Sequence, residues 1–181
     1  MIVFIIILLV VFVGAVWLYN QLISSRQLFL EAESGIDVQL KRRHDLVPNL
    51  VEVVKGYTAH EKGVLENVTR LRTRAVDVKT FHERAGVENQ LTQGLRSIFA
   101  LAENYPDLKA NSQFIQLHQN LVLIENELQM ARRYYNGTVR NFNVLVQSFP
   151  GSMVASLFGF KCESFFEIET ATDKAVPKVG L

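Results

Sequence analysis

The residues most suggestive of chemistry are two His-Glu pairs, His60-Glu61 and His82-Glu83. A zinc-protease helix needs a second histidine four positions after the first, on the same face. Val64 and Gly86 stand there instead. Each pair closes a Thr-x-x-Glu run, Thr58-Ala59-His60-Glu61 and Thr80-Phe81-His82-Glu83. That pattern predicts a capping box, in which the threonine hydroxyl accepts from a backbone N–H and the glutamate reaches back. A di-iron bundle needs Glu-x-x-His on two helices. The residues three before the histidines are Lys41, Tyr57, Lys79 and Ile115, so the motif is absent. His44 and His118 stand alone and read as surface or hydrogen-bonded side chains. The chain has no Gly-x-Ser-x-Gly elbow and no glycine-rich phosphate loop. Cys162 is the sole cysteine, which excludes an internal disulfide and a zinc site of several thiolates. It reads as a minor, semi-buried thiol. No metal, cofactor or catalytic constellation is expected, and the chain reads as a non-enzyme.

The stretch from Ile36 to Leu50 carries the densest information. Asp37 and Lys41 stand four apart in the favourable order, and Asp45 continues the row. Pro48 either starts a new helix or kinks a continuous one, freeing the carbonyl of His44. Asn49 is placed to answer such a group. Asp37, Lys41, Arg42, Arg43, Asp45 and Asn49 therefore form either a solvated helix face or a docking surface for a partner or for anionic headgroups.

Such residues need elements to hold them. Residues 1–19 contain no charge and end in Trp17-Leu18-Tyr19. A helix crosses the hydrocarbon core in about 20 residues, and amphipathic rings favour its edge. A cleaved signal peptide would want a basic start and a small-x-small site, and neither is present. Residues 1–23 are thus expected to be an uncleaved anchor inserted in a lipid bilayer. Arg26, Lys41, Arg42 and Arg43 all follow the anchor, which places the remainder on the cytoplasmic side by the positive-inside rule. If the helix is continuous, Lys41 lies about 27 Å beyond Ile23 along its axis. The Debye length is about 8 Å, so this geometry favours protein contact or internal ion pairs over lipid contact. The net charge of +1 argues against a nucleic-acid partner.

The remaining sequence predicts an all-α fold, an antiparallel soluble bundle with long helices. Its segments are the anchor through residues 55–56, then 58–76, 80–104 and 112–148. Tyr105-Pro106-Asp107 is a break, Asn111 or Ser112 a helix cap, and Phe149-Pro150-Gly151 a stop. The last segment carries Phe114, Leu117, Leu121, Ile124, Leu128, Ala131, Tyr135, Phe142, Leu145 and Phe149 in steps of three and four, with Thr138 the polar exception. Leu91, Leu95, Ile98, Ala102 and Tyr105 repeat the spacing, as do Leu65, Val68, Leu71 and Ala75. Phe29, Ala32, Ile36, Leu40, Val47, Leu50 and Val54 make a fourth stripe, interrupted by Arg43. Each stripe needs the others for burial, as a coiled-coil-like bundle provides. Residues 153–158 suit a short apolar helix. The domain division is 1–23 anchor, 24–160 bundle and 161–181 extension, its tail extended or loose.

Several runs make the chain resemble a known family. They are Ile36 to Val51, Val54-Lys55-Gly56-Tyr57, His60-Glu61, Tyr105-Pro106-Asp107-Leu108-Lys109-Ala110-Asn111, Glu125-Asn126, Ala131-Arg132-Arg133-Tyr134-Tyr135-Asn136, Phe149-Pro150 and Phe158-Gly159-Phe160. In order and spacing they resemble the LemA family of bacterial membrane proteins over nearly the whole chain. Glu33 departs from the pattern, standing where the family often has Trp. The resemblance implies a single-span protein of the bacterial inner membrane with a helical soluble part, and no established catalytic activity. The leading expectation is a membrane-anchored scaffold or adaptor with a protein partner of unknown identity. The alternatives are a self-assembling, membrane-shaping homo-oligomer, or an enzyme whose site draws on Glu125, Arg132 and Asp45.

Overall fold

The computed structural model describes residues 1–58, 61–78 and 81–166, which form helices joined by turns, with no strand among them. The helices are α1 (Ile2–Lys55), α2 (Lys62–Asp77), α3 (Phe81–Ala102), α4 (Pro106–Lys109), α5 (Ser112–Gln147) and α6 (Gly151–Phe158). The fold is all-α, as the sequence predicts. The anchor and the first soluble segment are one helix of 54 residues, with Pro48 inside it rather than at a new start.

The helix ends follow local chemistry. Asn111 caps α5, its Oδ1 accepting from the Phe114 N–H at 2.9 Å. Pro106 opens α4, where its missing N–H costs no helical bond. The first expected capping box does not form. Thr58 follows the end of α1 and turns back on it, its hydroxyl donating to the Val54 carbonyl at 3.0 Å. Glu61 precedes α2 without a side-chain cap. Thr80 of the second box, His60 and the tail beyond Phe166 lie outside the described residues.

Two compact units emerge, residues 41–124 together with Phe166, and residues 1–40 together with 125–165. This grouping departs from boundaries at 23 and 160. Tyr19 of the anchor run packs on Phe158 and Phe160, and the Ser164 carbonyl accepts from Tyr135.

In the first of these units, Val47, Leu50 and Val54 of α1 meet the predicted stripe of α2. Val87, Leu91, Leu95, Ile98 and Ala102 of α3 join them, with Leu108 and with Phe114, Leu117 and Leu121 of α5. A Cβ on Gly94 would stand 2.9 Å from Val68 Cγ2, so this glycine sets how closely α2 and α3 approach.

In the other unit, the buried face comprises Leu22, Phe29, Ala32, Ile36 and Leu40 of α1, with Leu128, Tyr135, Val139 and Phe142 of α5. The rings of Phe29 and Phe142 are 5.1 Å apart. The α5 stripe stops sooner than its spacing predicts. Phe149 is exposed, because α5 ends at Gln147 and a cis Phe149-Pro150 bond redirects the chain. A Cβ at Gly151 would collide with the Leu145 carbonyl, so the start of α6 can lie against the end of α5 only without a side chain there. Gly159 ends α6 in the left-handed region at φ 73°, and the Phe160 N–H bonds back to the Ala155 carbonyl at 2.9 Å.

Leu121→Asp places a carboxylate among apolar side chains at a cost of several kcal/mol, against a domain stability of roughly 5–15. Thermal denaturation followed by circular dichroism is expected to show loss of the cooperative transition. Leu123→Asp, at an exposed site two residues on, is expected to melt near the native temperature. Equal melting of the two variants would contradict a buried α5 face.

Candidate functional site

The most concentrated polar chemistry lies inside residues 41–124. Arg43 and His44 occupy the α1 stripe between Leu40 and Val47, and both are buried. Facing them is Glu88 of α3, with 0% of its surface exposed. The carboxylate holds the His44 Nε2 at 2.6 Å through Oε1 and stands 3.5 Å from Arg43 Nη1 through Oε2. Arg43 Nη2 donates to the Thr92 hydroxyl at 2.7 Å, and that hydroxyl donates to the Glu88 carbonyl at 3.0 Å. Residues 88 and 92 are four apart on α3, so one helix face supplies both partners.

Pro48 contributes to the same cluster. It has no N–H to give the His44 carbonyl, the usual acceptor four residues back. Arg72 of α2 fills that place, its Nε donating to the carbonyl at 3.2 Å. Asn49, which the sequence places to answer that carbonyl, is exposed instead. A guanidinium on a neighbouring helix reaches where the Asn49 side chain on the same helix does not.

A carboxylate bonded to an imidazole is the pairing that orients a general base. A base must also reach the proton that it removes. Here His44 is 8% exposed and Glu88 has no exposed surface, so the pair is closed to substrate. Its geometry suits alignment instead. Arg43, His44, Glu88, Thr92 and Arg72 join α1, α2 and α3 at one level, and a shift of any helix would leave polar groups unmatched in the core.

The docking residues read from sequence divide. Lys41, Arg42, Asp45 and Asn49 are exposed on α1, and Asp37 is exposed on its earlier part. Arg43 is a correction: it is a core residue bound to Glu88 and offers no surface to a partner. Among the dispersed catalytic candidates, Arg132 is buried on α5, Glu125 is partly exposed and Asp45 is exposed. Cys162, expected to be semi-buried, is exposed and accepts from the Gln147 amide at 3.1 Å. No cluster of metal-ligating side chains occurs among the described residues.

In the unit containing the anchor run, Tyr135 is the perturbed group. Its hydroxyl donates to the Ser164 carbonyl at 3.1 Å. Burial, with the negative charges of Glu33 and Glu163 adding to it, pushes its phenol up to about 12. Glu33, the departure from the family pattern, thus adds to burial in raising this phenol.

Glu88→Ala would leave the Arg43 guanidinium in the core without its carboxylate, a loss of about 3–5 kcal/mol. Urea denaturation is expected to show that loss, and most of it should return in the Arg43→Leu, Glu88→Leu double variant, which removes both charges. An undiminished midpoint in Glu88→Ala would overturn the alignment role. For Tyr135 the folded pKa lies above the ordinary value near 10. Its contribution to stability is whole below pH 10 and is lost as pH rises toward about 12. Phenolate absorbance of the folded protein should therefore include a step near pH 12 that Tyr135→Phe removes; survival of that step would assign it elsewhere.

Comparison with known proteins adds a lineage to this geometry. The chain is 21% identical to magnetosome protein MamQ 2 of Paramagnetospirillum magneticum, over 87% of this chain and 68% of that protein. It is 20% identical to magnetosome protein MamQ of Magnetospirillum gryphiswaldense, with the same coverage. It is 25% identical to protein LemA of Metamycoplasma hominis, over 75% of this chain and 63% of that protein. The LemA family profile matches residues 32–180, which take in the Arg43–Glu88 cluster, the part of α1 from Ala32 onward and the whole of α5 and α6. On that match the chain belongs to the LemA family.

Proposed function

We propose that this protein is a non-catalytic, membrane-anchored scaffold or adaptor. α1 crosses the bilayer once, and the helical units hold a surface to which another protein binds. One observation carries the reading. α1 runs unbroken from Ile2 to Lys55, apolar and outward-facing over residues 2–13 and forming part of the core from Leu22 onward. The tether and the first core-forming helix are thus one element.

The polar cluster supports a non-catalytic role, since its strongest groups are spent on one another inside the core. The outward face of α1 supports a binding role, with Lys41, Arg42, Asp45 and Asn49 exposed. In the other unit, Met130 and Tyr134 make a separate exposed apolar and aromatic surface, four apart on α5. Relatives named as magnetosome proteins suit a scaffold put to use in different assemblies. Positive charge after the anchor favours a cytoplasmic disposition of the soluble part at the bacterial inner membrane.

The full chain is expected to resist alkaline carbonate extraction, and release by carbonate would defeat the anchor. Cys162 reports orientation without any engineering, being the sole cysteine and exposed. A membrane-impermeant maleimide should label it in lysed cells and spare it in intact spheroplasts. Labelling in intact spheroplasts would reverse the orientation. Crosslinking and co-purification from detergent-solubilised membranes should recover a stoichiometric protein that Lys41→Glu, Arg42→Glu weakens while leaving the melting temperature in place. Recovery of nothing except a multimer of this chain would favour self-assembly.

A further inference from the structure

The anchor is followed, on the far side of the sequence, by a second apolar feature that folding leaves uncovered. α6 has the sequence Gly151-Ser152-Met153-Val154-Ala155-Ser156-Leu157-Phe158. Val154 and Ala155 face inward and are buried. A short surface helix ordinarily presents polar side chains on its other side. Here that side carries Met153 at 65% and Leu157 at 79% exposure, four residues apart, with Phe149 at 80% just before the helix. Scattered exposed apolar residues are ordinary, but a contiguous group marks a contact surface.

The location of α6 says what covers it. The Tyr19 ring stands 4.6 Å from that of Phe158 and 6.0 Å from that of Phe160. Tyr19 closes the stretch before the first polar pair, Asn20-Gln21, at the depth where aromatic rings sit between hydrocarbon and water. Phe158 is therefore held at that depth, and α6, only about 12 Å long, cannot lie far from it. Beside these rings is a cleft of about 370 Å³ with Arg26, Lys161 and Glu163 on its wall. Arg26 lies about 10 Å past Tyr19 on the α1 axis, within reach of headgroups for a long side chain that extends along the bilayer normal. No acidic residue occurs from Phe149 through Lys161.

We propose that α6 is an interfacial helix, with Phe149, Met153 and Leu157 seated in the headgroup and upper acyl region of the same bilayer that α1 crosses. The occupant of the exposed face is lipid. Short amphipathic helices bind such interfaces weakly on their own. This one is delivered by a covalent tether and a ring contact, so its effective concentration at the surface is high. The second contact fixes the rotation of α1 about its axis, because α6 touches the membrane on one side of that helix alone. The inference rests on the proposed anchor reading.

The experiment uses the full chain in vesicles of phosphatidylcholine and phosphatidylglycerol, with Cys162→Ser and one new cysteine carrying an environment-sensitive fluorophore. The sites are Leu157→Cys, Met153→Cys, Val10→Cys in the anchor, and Gln129→Cys, which is exposed on α5. Circular dichroism verifies folding of each. The dye at 153 and 157 is expected to emit at shorter wavelength and to lose emission severalfold with lipids spin-labelled near the headgroup. The dye at 129 should be unaffected, and the dye at 10 should respond to deeply placed spin labels. A response at 10 with none at 153 and 157 overturns the interfacial helix and leaves the anchor. A blue shift at 157 without lipid quenching overturns it also, assigning the face to a second protein. No response at 10 overturns the anchor itself.

Discussion

A carboxylate with no exposed surface constrains residues 41–124. Glu88 is tolerated in the core because Arg43 and His44 meet its carboxylate there, with Thr92 holding the Arg43 guanidinium, and each of those must arrive on a particular turn of a particular helix. Such pairs contribute little net stability compared with well-packed apolar residues. What they impose is discrimination, since a slip by one turn would keep many Leu and Val contacts while orphaning the charges. Arg72 adds a third helix by bonding the carbonyl that Pro48 leaves open. The cluster thus converts a permissive apolar seam into a defined register.

The remaining unit uses different means. Its ring contacts, Phe29 with Phe142 and Tyr19 with Phe158 and Phe160, are apolar and adaptable. Polar definition enters through hydrogen bonds to the chain after α6. Asn143 both donates to the Glu163 carbonyl at 2.9 Å and accepts from its N–H at 2.8 Å, and Tyr135 binds the next carbonyl. These bonds hold the segment against α5 without any regular secondary structure there.

Much of this was legible in the residues. The stripes on α1, α2 and α3, the proline break before α4 and the Asn111 cap all follow from period and local chemistry, and the structure has them in place. Glu88 is hidden from the apolar pattern because the α3 stripe of large apolar residues begins at Leu91. Stepping three back reaches Glu88, a charge in the core register that matches the charged interruption at Arg43 in α1. Two interruptions of opposite sign on neighbouring stripes were the available signal. Thr58 misled because a threonine hydroxyl can bond backward to a carbonyl as readily as forward to an N–H, and the motif does not decide which. Phe149 misled because heptad spacing continues past the point where the backbone has already turned.

The grouping of residues has a consequence for biosynthesis. Residues 41–124 are one contiguous stretch, so the helices of that unit have their sequence once the ribosome has passed α3 and the first turns of α5, well before Phe166 joins it. The other unit draws on both ends of the chain. Leu22, Phe29, Ala32, Ile36 and Leu40 emerge early, yet their α5 and α6 partners are translated more than eighty residues later. By then the apolar N-terminus has long been available to the insertion machinery. For that interval a bare hydrophobic stripe stands next to the membrane on a nascent chain, and shielding it is a task for the translocon, a chaperone or the lipid surface itself.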